Sequence, residues 1–175
     1  MRMSELTSAE ASAYRTLRLK ALQEEASAFG ASFEDEVTYP LSVFEEKLNA
    51  QNNYTIGAFE GHQLIGIITL KKQLFLKRAH ISEIGGMYVH PDFRGQGVSK
   101  SIMASAIMRA KELKCEQIHL NVNIENKTAK NVYTSFGFEI IGMEKKIIKL
   151  HDGSYIDEYR MALYFAEWTD SSEAN

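Results

Sequence analysis

The sequence predicts a mixed α/β fold, a mostly antiparallel central sheet of about six to seven strands flanked by about four helices. Three observations carry that expectation. Apolar residues recur first at helical spacing, then alternate through a meander, then follow the order strand, helix, strand, helix, strand, strand. A glycine-rich loop, Arg94-Gly95-Gln96-Gly97-Val98-Ser99, joins the strand-like run Ile84 to Val89 to a long amphipathic segment. Finally, 175 residues at 45% hydrophobic composition suit one domain with a substantial core. We expect that domain to occupy residues 1–169, followed by a polar, disordered tail from Asp170 to Asn175.

Thr7 with Glu10 forms a capping-box signature, and Tyr14, Leu17, Ala21 and Leu22 follow at helical spacing, predicting a first helix to about Ala28. Ala31 to Pro40 is acidic and irregular. Ser42 with Glu45 offers the start of a short second helix to Ala50. Tyr54 to Phe59, a Glu60-Gly61 turn and Leu64 to about Phe75 read as a hairpin, and His80 to Val89 continues the meander. Within that last strand, Gly85-Gly86 suggests a bulge or a close ligand approach. Behind the glycine loop, Val98, Ile102, Met103, Ala106, Ile107 and Ala110 define a buried helical stripe. Gln117 to Val122 reads as a strand, Asn126 to Ser135 as a helix and Phe138 to about Leu150 as a strand. Asp152-Gly153 then turns the chain into Tyr155 to Phe165, a second hairpin.

Composition narrows the function classes. A net charge of -3 with no dense basic tract argues against nucleic-acid or anionic-membrane binding. The amino terminus lacks an apolar leader, and no stretch approaches the ~18 apolar residues of a spanning helix, so a cytoplasmic location is expected. The lone Cys115 lies where a helix hands over to a strand and reads as a buried small residue. The five histidines show no HExxH spacing, His119 alternates with Ile118 and Leu120, and no metal is predicted.

The loop itself reads as an anion cradle. Gly95 and Gly97 let the backbone turn tightly and free successive N–H groups to point at one object. A helix beginning at about Val98 adds the positive end of its dipole, a preference of roughly 0.3–1 kcal/mol for negative charge. Phosphate or pyrophosphate fits that description. Ser99 stands where a Walker loop needs a glycine before its lysine, here Lys100, so the nucleoside triphosphate pattern fails. A dinucleotide fingerprint would need a third glycine at Lys100, and Glu116 sits at a strand start rather than at the required strand end. The alternative is a plain turn between strand and helix.

Thirty residues downstream, Asn126-Lys127-Thr128-Ala129-Lys130-Asn131-Val132-Tyr133-Thr134-Ser135-Phe136-Gly137-Phe138 completes a second pattern. Together the two segments resemble the acetyl-CoA-binding core of the GCN5-related N-acetyltransferase (GNAT) superfamily. Its loop reads Arg or Gln, two residues, Gly, one residue, Gly or Ala; its later helix reads Asn, two residues, Ala, three residues, Tyr, then an apolar-Gly-Phe ending. One position departs: Ser99 replaces the final Gly or Ala, which implies a slightly altered loop with binding retained. The resembling core spans about Tyr54 to Phe165.

The resemblance implies a GNAT-like acyl-CoA N-acyltransferase fold with acetyl-CoA as cosubstrate and no metal. It implies coenzyme contacts from Met87, Tyr88 and Val89, from Arg94, Gly95, Gln96, Gly97, Val98, Ser99 and Lys100, and from Asn126, Ala129 and Tyr133. The strand before the loop and the next strand should diverge, leaving Met87 to Val89 to pair with the pantetheine arm as with an added strand. Tyr133 matches the tyrosine near the coenzyme sulfur, where its phenol donates to the leaving thiolate. An alkyl ammonium must lose a proton before it attacks, and Glu83 is the candidate general base. If strand alternation holds, Glu83 shares a face with Val89; a bulge at Gly85-Gly86 reverses that facing. The Val89 N–H is a candidate for polarising the thioester carbonyl.

The acceptor is a small-molecule or peptide amine, with polyamines, amino acids, aminoglycoside-like amines and protein amino groups all open. Glu34, Asp35, Glu36, Asp157 and Glu158 attract a cationic amine or form solvated turns, and Phe29, Phe33, Tyr39 and Phe44 line its pocket or pack the helices. The second reading is a catalytically silent acyl-CoA-binding sensor. The apolar run Met161 to Trp168 leaves room for a homodimer.

Overall fold

The computed structural model describes residues 1–165. Seven strands form one sheet in the order β1-β2-β3-β4-β5-β7-β6: β1 Arg2–Glu5, β2 Asn53–Glu60, β3 Gln63–Lys72, β4 Ile81–Val89, β5 Gln117–Asn123, β6 Glu139–Lys149 and β7 Tyr155–Tyr164. Every pairing is antiparallel except β4 with β5. The helices are α1 Ala11–Glu24, α2 Phe33–Glu36, α3 Leu41–Asn49, α4 Val98–Glu112 and α5 Lys127–Ser135. The tail expected from Asp170 to Asn175 lies outside the described residues, as does the end of the apolar run that left room for a homodimer.

The two sheet faces carry separate cores, as alternation requires. One face packs Ile68, Leu70, Ile118, Leu120 and Met161 against the α4 stripe of Ile102, Met103, Ala106 and Ala110, with Cys115 buried beside them. The other packs Phe59, Leu64, Ile67 and Tyr88 against α1 and α3 through Leu17, Leu22 and Phe44.

Several boundaries differ from expectation. Four-residue β1 pairs with β2 from Arg2 opposite Phe59 to Glu5 opposite Ile56 and carries no alternation long enough to read. The Thr7–Glu10 capping box forms, but it opens a 3-10 turn that leads into α1, and α1 stops at Glu24 rather than Ala28. The stretch read as irregular contains α2, capped reciprocally by Ser32 and Asp35. The Ser42–Glu45 start goes unused, because α3 begins at Leu41 behind Pro40, whose fixed φ suits the position before a helix. Strand β3 ends at Lys72, and a 3-10 turn at Leu76–Arg78 occupies the segment that follows.

Candidate active site

Strand β4 places the site. Its parallel pairing with β5 covers only Ile81–Ile84 against Gln117–Leu120. Beyond Ile84 the two strands separate, so the edge of β4 from Gly85 to Val89 that faced β5 is left without a strand partner. A bulge accompanies this change. Opposite β3, Tyr88 pairs with Ile67 and Gly85 with Thr69, leaving Gly86 and Met87 across from Ile68 alone. Gly86 takes φ +63, which calls for glycine; the Arg18 guanidinium, 3.5 Å from where a Cβ would be, would make only an ordinary contact with it.

The glycine loop closes one end of the gap. Gly95 and Gly97 have φ of +74 and +80, and Gly97 is the residue from which α4 starts. The first backbone hydrogen bond of the helix is Ser101 N–H to the Gly97 carbonyl, at 3.0 Å. The N–H groups of residues 95–100 have no backbone acceptor among the described residues, as a ligand cradle requires. A Cβ at Gly95 or Gly97 would meet nothing within 4 Å, so it would project into open space beside the loop. Arg94 is held over this loop by Glu25 (2.9 Å), by the Val89 carbonyl (3.0 Å) and by stacking on Tyr88. Gln96 donates back to the Asp92 carbonyl at 3.1 Å.

Helix α5 forms the opposite wall. The Asn126 side chain accepts from the Ala129 N–H at 3.0 Å, capping the helix. Gly137, at φ +92, ends it and lets Phe138 into the core, where its ring lies 6.1 Å from Tyr133. Burial pushes the Tyr133 phenol up to about 12.

These elements enclose a cleft of about 930 Å³. Met87, Tyr88, Val89, Arg94, Gly95, Val98, Ser99, Asn126, Ala129 and Tyr133 all line it, so the structure brings most of the sequence-expected residues together. Gln96, Gly97 and Lys100 belong to the same loop and helix start without lining the cleft. Tyr88 sends its hydroxyl the other way, to Glu24, and burial followed by that carboxylate raises its pKa far above the phenol range.

Glu83 sits apart from this lining. It is placed beyond the bulge, beside His119 on β5, with its carboxylate 3.4 Å from Arg160. Arg160 also approaches His119 Nδ1 at 3.1 Å; burial first, and then the Arg160 charge, lowers the His119 pKa. Among the described residues, the carboxylates that do line the cleft are Glu25, paired with Arg94, and Glu158. Sequence reasoning noted Glu158 only as a possible attractor of cations. Its alternation with Tyr159 on β7 was readable, but its place in the cleft follows from pairing with Asn123 and Glu144, which the sequence does not display. Arg18 and Asn121 were likewise not foreseen as cleft residues, whereas Phe29, one of the aromatics offered for the acceptor pocket, does line the cleft.

Among the described residues, no cluster of three or more His, Cys, Asp or Glu side chains is placed to hold a metal ion, and no helix is long and apolar enough to cross a membrane.

Comparison with known proteins agrees with this geometry. The profile of the Acetyltransferase (GNAT) family matches residues 18–138. The L-amino acid N-acetyltransferase AaaT of Escherichia coli is 34% identical over 100 residues, 57% of this chain and 60% of that protein. The chain thus spans less than two thirds of that relative. N-alpha-acetyltransferase RimI of Mycobacterium tuberculosis is 24% identical over 70% of this chain and 73% of its own. Among solved structures, a GNAT-family acetyltransferase from Streptococcus pneumoniae shares the fold with a TM-score of 0.84 at 21% identity, covering 94% of this chain and 99% of the other. Because the family profile covers well over half of the chain, with the glycine loop and the Asn126 to Phe138 segment inside it, the protein belongs to the GNAT acetyltransferase family.

Proposed function

We propose that this protein is an acetyl-CoA-dependent N-acetyltransferase acting on a primary amine by direct attack. One observation carries the reading. The unpartnered edge of β4 from Gly85 to Val89 opens onto the same cleft as Gly95, Val98 and Ser99, part of a segment, residues 95–100, whose N–H groups lack backbone acceptors. That is a strand-shaped slot leading to an anion cradle, which matches an extended amide-bearing arm attached to a diphosphate.

In this reading the loop from Arg94 to Lys100 holds the diphosphate, Met87 to Val89 pair with the arm, and Asn126 contacts it while capping α5. Bound acetyl-CoA supplies the activated acetyl group as a thioester. Tyr133 sits in the cleft wall with a phenol kept protonated by burial, so it is available as a donor to sulfur. Its raised pKa is no obstacle when the sulfur shares the same desolvated surroundings, because burial raises the basicity of a thiolate too. The cleft continues past Phe29, Gly30, Ile148 and Lys149 into a second hollow of about 570 Å³ near Ser32 and His151, which leaves room for an extended acceptor. Relatives named for amino acids and for amino-terminal groups make α-amines the first acceptors to try.

The test is release of free thiol from acetyl-CoA across amino acids, peptides with free amino termini, lysine peptides, polyamines and aminoglycosides, with calorimetric acetyl-CoA binding in parallel. Amine-dependent release is the expected result. Binding without release on any acceptor supports the silent sensor instead, and absence of binding overturns the cradle.

A further inference from the structure

We infer that Glu158, backed by Glu144, is the site that receives the acceptor's ammonium group and takes its proton. The inference rests on the acetyltransferase reading and assigns a residue and a substrate charge to the acceptor side of the same cleft.

Glu158 is 9% exposed and lines the cleft from β7, on the face opposite the α4 core. Across the ladder it faces Asn123 on β5 and Glu144 on β6. The two glutamates are therefore direct cross-strand partners, an arrangement that like charges disfavour. Asn121 gives its amide to Glu144 at 3.3 Å. No cation within the described residues forms an ion pair with Glu158. Arg160, two positions along β7, is occupied by Glu83 and His119. Across the cleft, Arg18 is held by Glu36 and Arg94 by Glu25. Lys149, Tyr133 and Tyr88, whose hydroxyl goes to Glu24, complete the charged and titratable lining, and none of them is bonded to Glu158.

A carboxylate nine-tenths buried without a cation is costly to a fold unless something arrives to neutralise it. A primary ammonium is the chemical complement: three N–H donors, one charge, and a proton to lose. Burial first, then Glu144, raises the Glu158 pKa, opposed by the Asn121 amide, which brings a glutamate toward the range useful for a base.

The chemistry balances. Glu158 accepts one ammonium proton, and the freed nitrogen lone pair forms the C–N bond at the thioester carbonyl. The C–S bond breaks with its electron pair on sulfur, which takes the Tyr133 proton. The tyrosinate recovers a proton from the nitrogen that becomes the amide, and Glu158 releases its own to water. The net products are amide, free thiol and one proton.

The experiment compares wild type with Glu158→Gln, Glu158→Asp and Glu83→Gln. With an accepted amine, Glu158→Gln should lower kcat/KM about 100-fold and remove the rising limb of the pH profile, with acetyl-CoA affinity unchanged. Glu158→Asp should restore part of the rate with a displaced limb, and Glu83→Gln should keep both rate and limb. Wild-type rate and limb in Glu158→Gln, or their loss in Glu83→Gln alone, overturn the inference.

A second arm uses neither coenzyme nor turnover. Because the native carboxyl holds its proton above the ordinary value of 4.5, its penalty is absent in acid and grows as pH rises through the raised native value. Glu158→Gln should therefore raise Tm at neutral pH, with the gain vanishing below 4.5. Benzylamine should raise the wild-type Tm where benzyl alcohol does not, and Glu158→Gln should abolish that difference. If wild type acetylates no amine at all, the acetyltransferase reading falls. The ammonium site then stands when both Tm results hold and falls when either fails.

Discussion

Tyr133 and Gly97 show how single residues divide binding from chemistry. The Tyr133 hydroxyl makes no hydrogen bond to any described residue although its ring is buried at 7% exposure in the cleft wall. A hydroxyl that opens on the cleft and bonds no protein group adds nothing to stability, so Tyr133→Phe should leave Tm unchanged or slightly higher and leave acetyl-CoA affinity intact. Its kcat should fall about 100-fold, measured as thiol release at saturating substrate, and an unchanged kcat would remove the phenol from the reaction. Gly97 is the converse. At φ +80, a valine would strain the backbone by about 1–2 kcal/mol, and its side chain would enter the open space above the loop. Gly97→Val should abolish calorimetric acetyl-CoA binding while the protein still unfolds cooperatively. Both residues were legible because their signals are local: two glycines before a helical stripe, and a tyrosine seven residues after a capping asparagine. Glu83 and Glu158 were not separable in the same way. Glu83's partner Arg160 is 77 residues away, and Glu158's neighbour Glu144 faces it only through the β6–β7 register.

At the scale of elements, the acceptor side of the cleft hangs on the joint between α1, α2 and α3. Glu36 of α2 takes two hydrogen bonds from Arg18 of α1, at 3.1 and 2.9 Å, and an ion pair from Lys47 of α3 at 3.3 Å. Arg18 stacks on Phe29 and reaches the Gly86 bulge, so the same guanidinium joins the helices to β4. Burial pushes the Glu36 pKa up, but the hydrogen bonds and charge of Arg18, with the Lys47 charge, outweigh it and hold the value below 4.5. The stabilisation is therefore complete above 4.5 and is lost as pH falls through the lower native value. Glu36→Gln should destabilise by about 3 kcal/mol at neutral pH, read from the urea midpoint, because it leaves Arg18 buried without its counter-charge. The difference should narrow in acid, and a deficit independent of pH would mean that packing rather than charge is lost. This joint escaped the sequence reading because α2 is one turn long and its cap pairs Ser32 with Asp35 rather than with the usual Glu or Gln. The long elements, α4 and the β2–β3 hairpin, were readable because each repeats its apolar period several times.

Taken whole, the molecule is a sheet with a split in it. The ladder from β1 to β4 and the ladder of β5, β7 and β6 meet through four residue pairs, from Ile81 opposite Gln117 to Ile84 opposite Leu120. Past that point Gly85 to Val89 and Asn121 to Asn123 face each other across the cleft with no backbone pairing. Folding thus leaves hydrogen-bonding capacity unused along the Gly85–Val89 end of β4, and an extended ligand with its own amides is what completes it. Acetyl-CoA should act as the missing strand. At a concentration 100 times its Kd, binding to the native state alone adds about 2.7 kcal/mol, which for a chain of this size is a rise in Tm of about 5–10 °C. The rise should be absent in Gly97→Val, which lacks the cradle, and present in Tyr133→Phe, which lacks only the donor. Hydrogen exchange locates the effect. The amides of residues 85–89 that point away from β3, and those of residues 95–100, should exchange freely in the unliganded protein and gain protection with acetyl-CoA, while those of Ile65 to Leu70 in β3 stay protected throughout. Protection spread evenly over the sheet, without a local gain at β4 and the loop, would show that the coenzyme binds elsewhere and that the split has some other occupant.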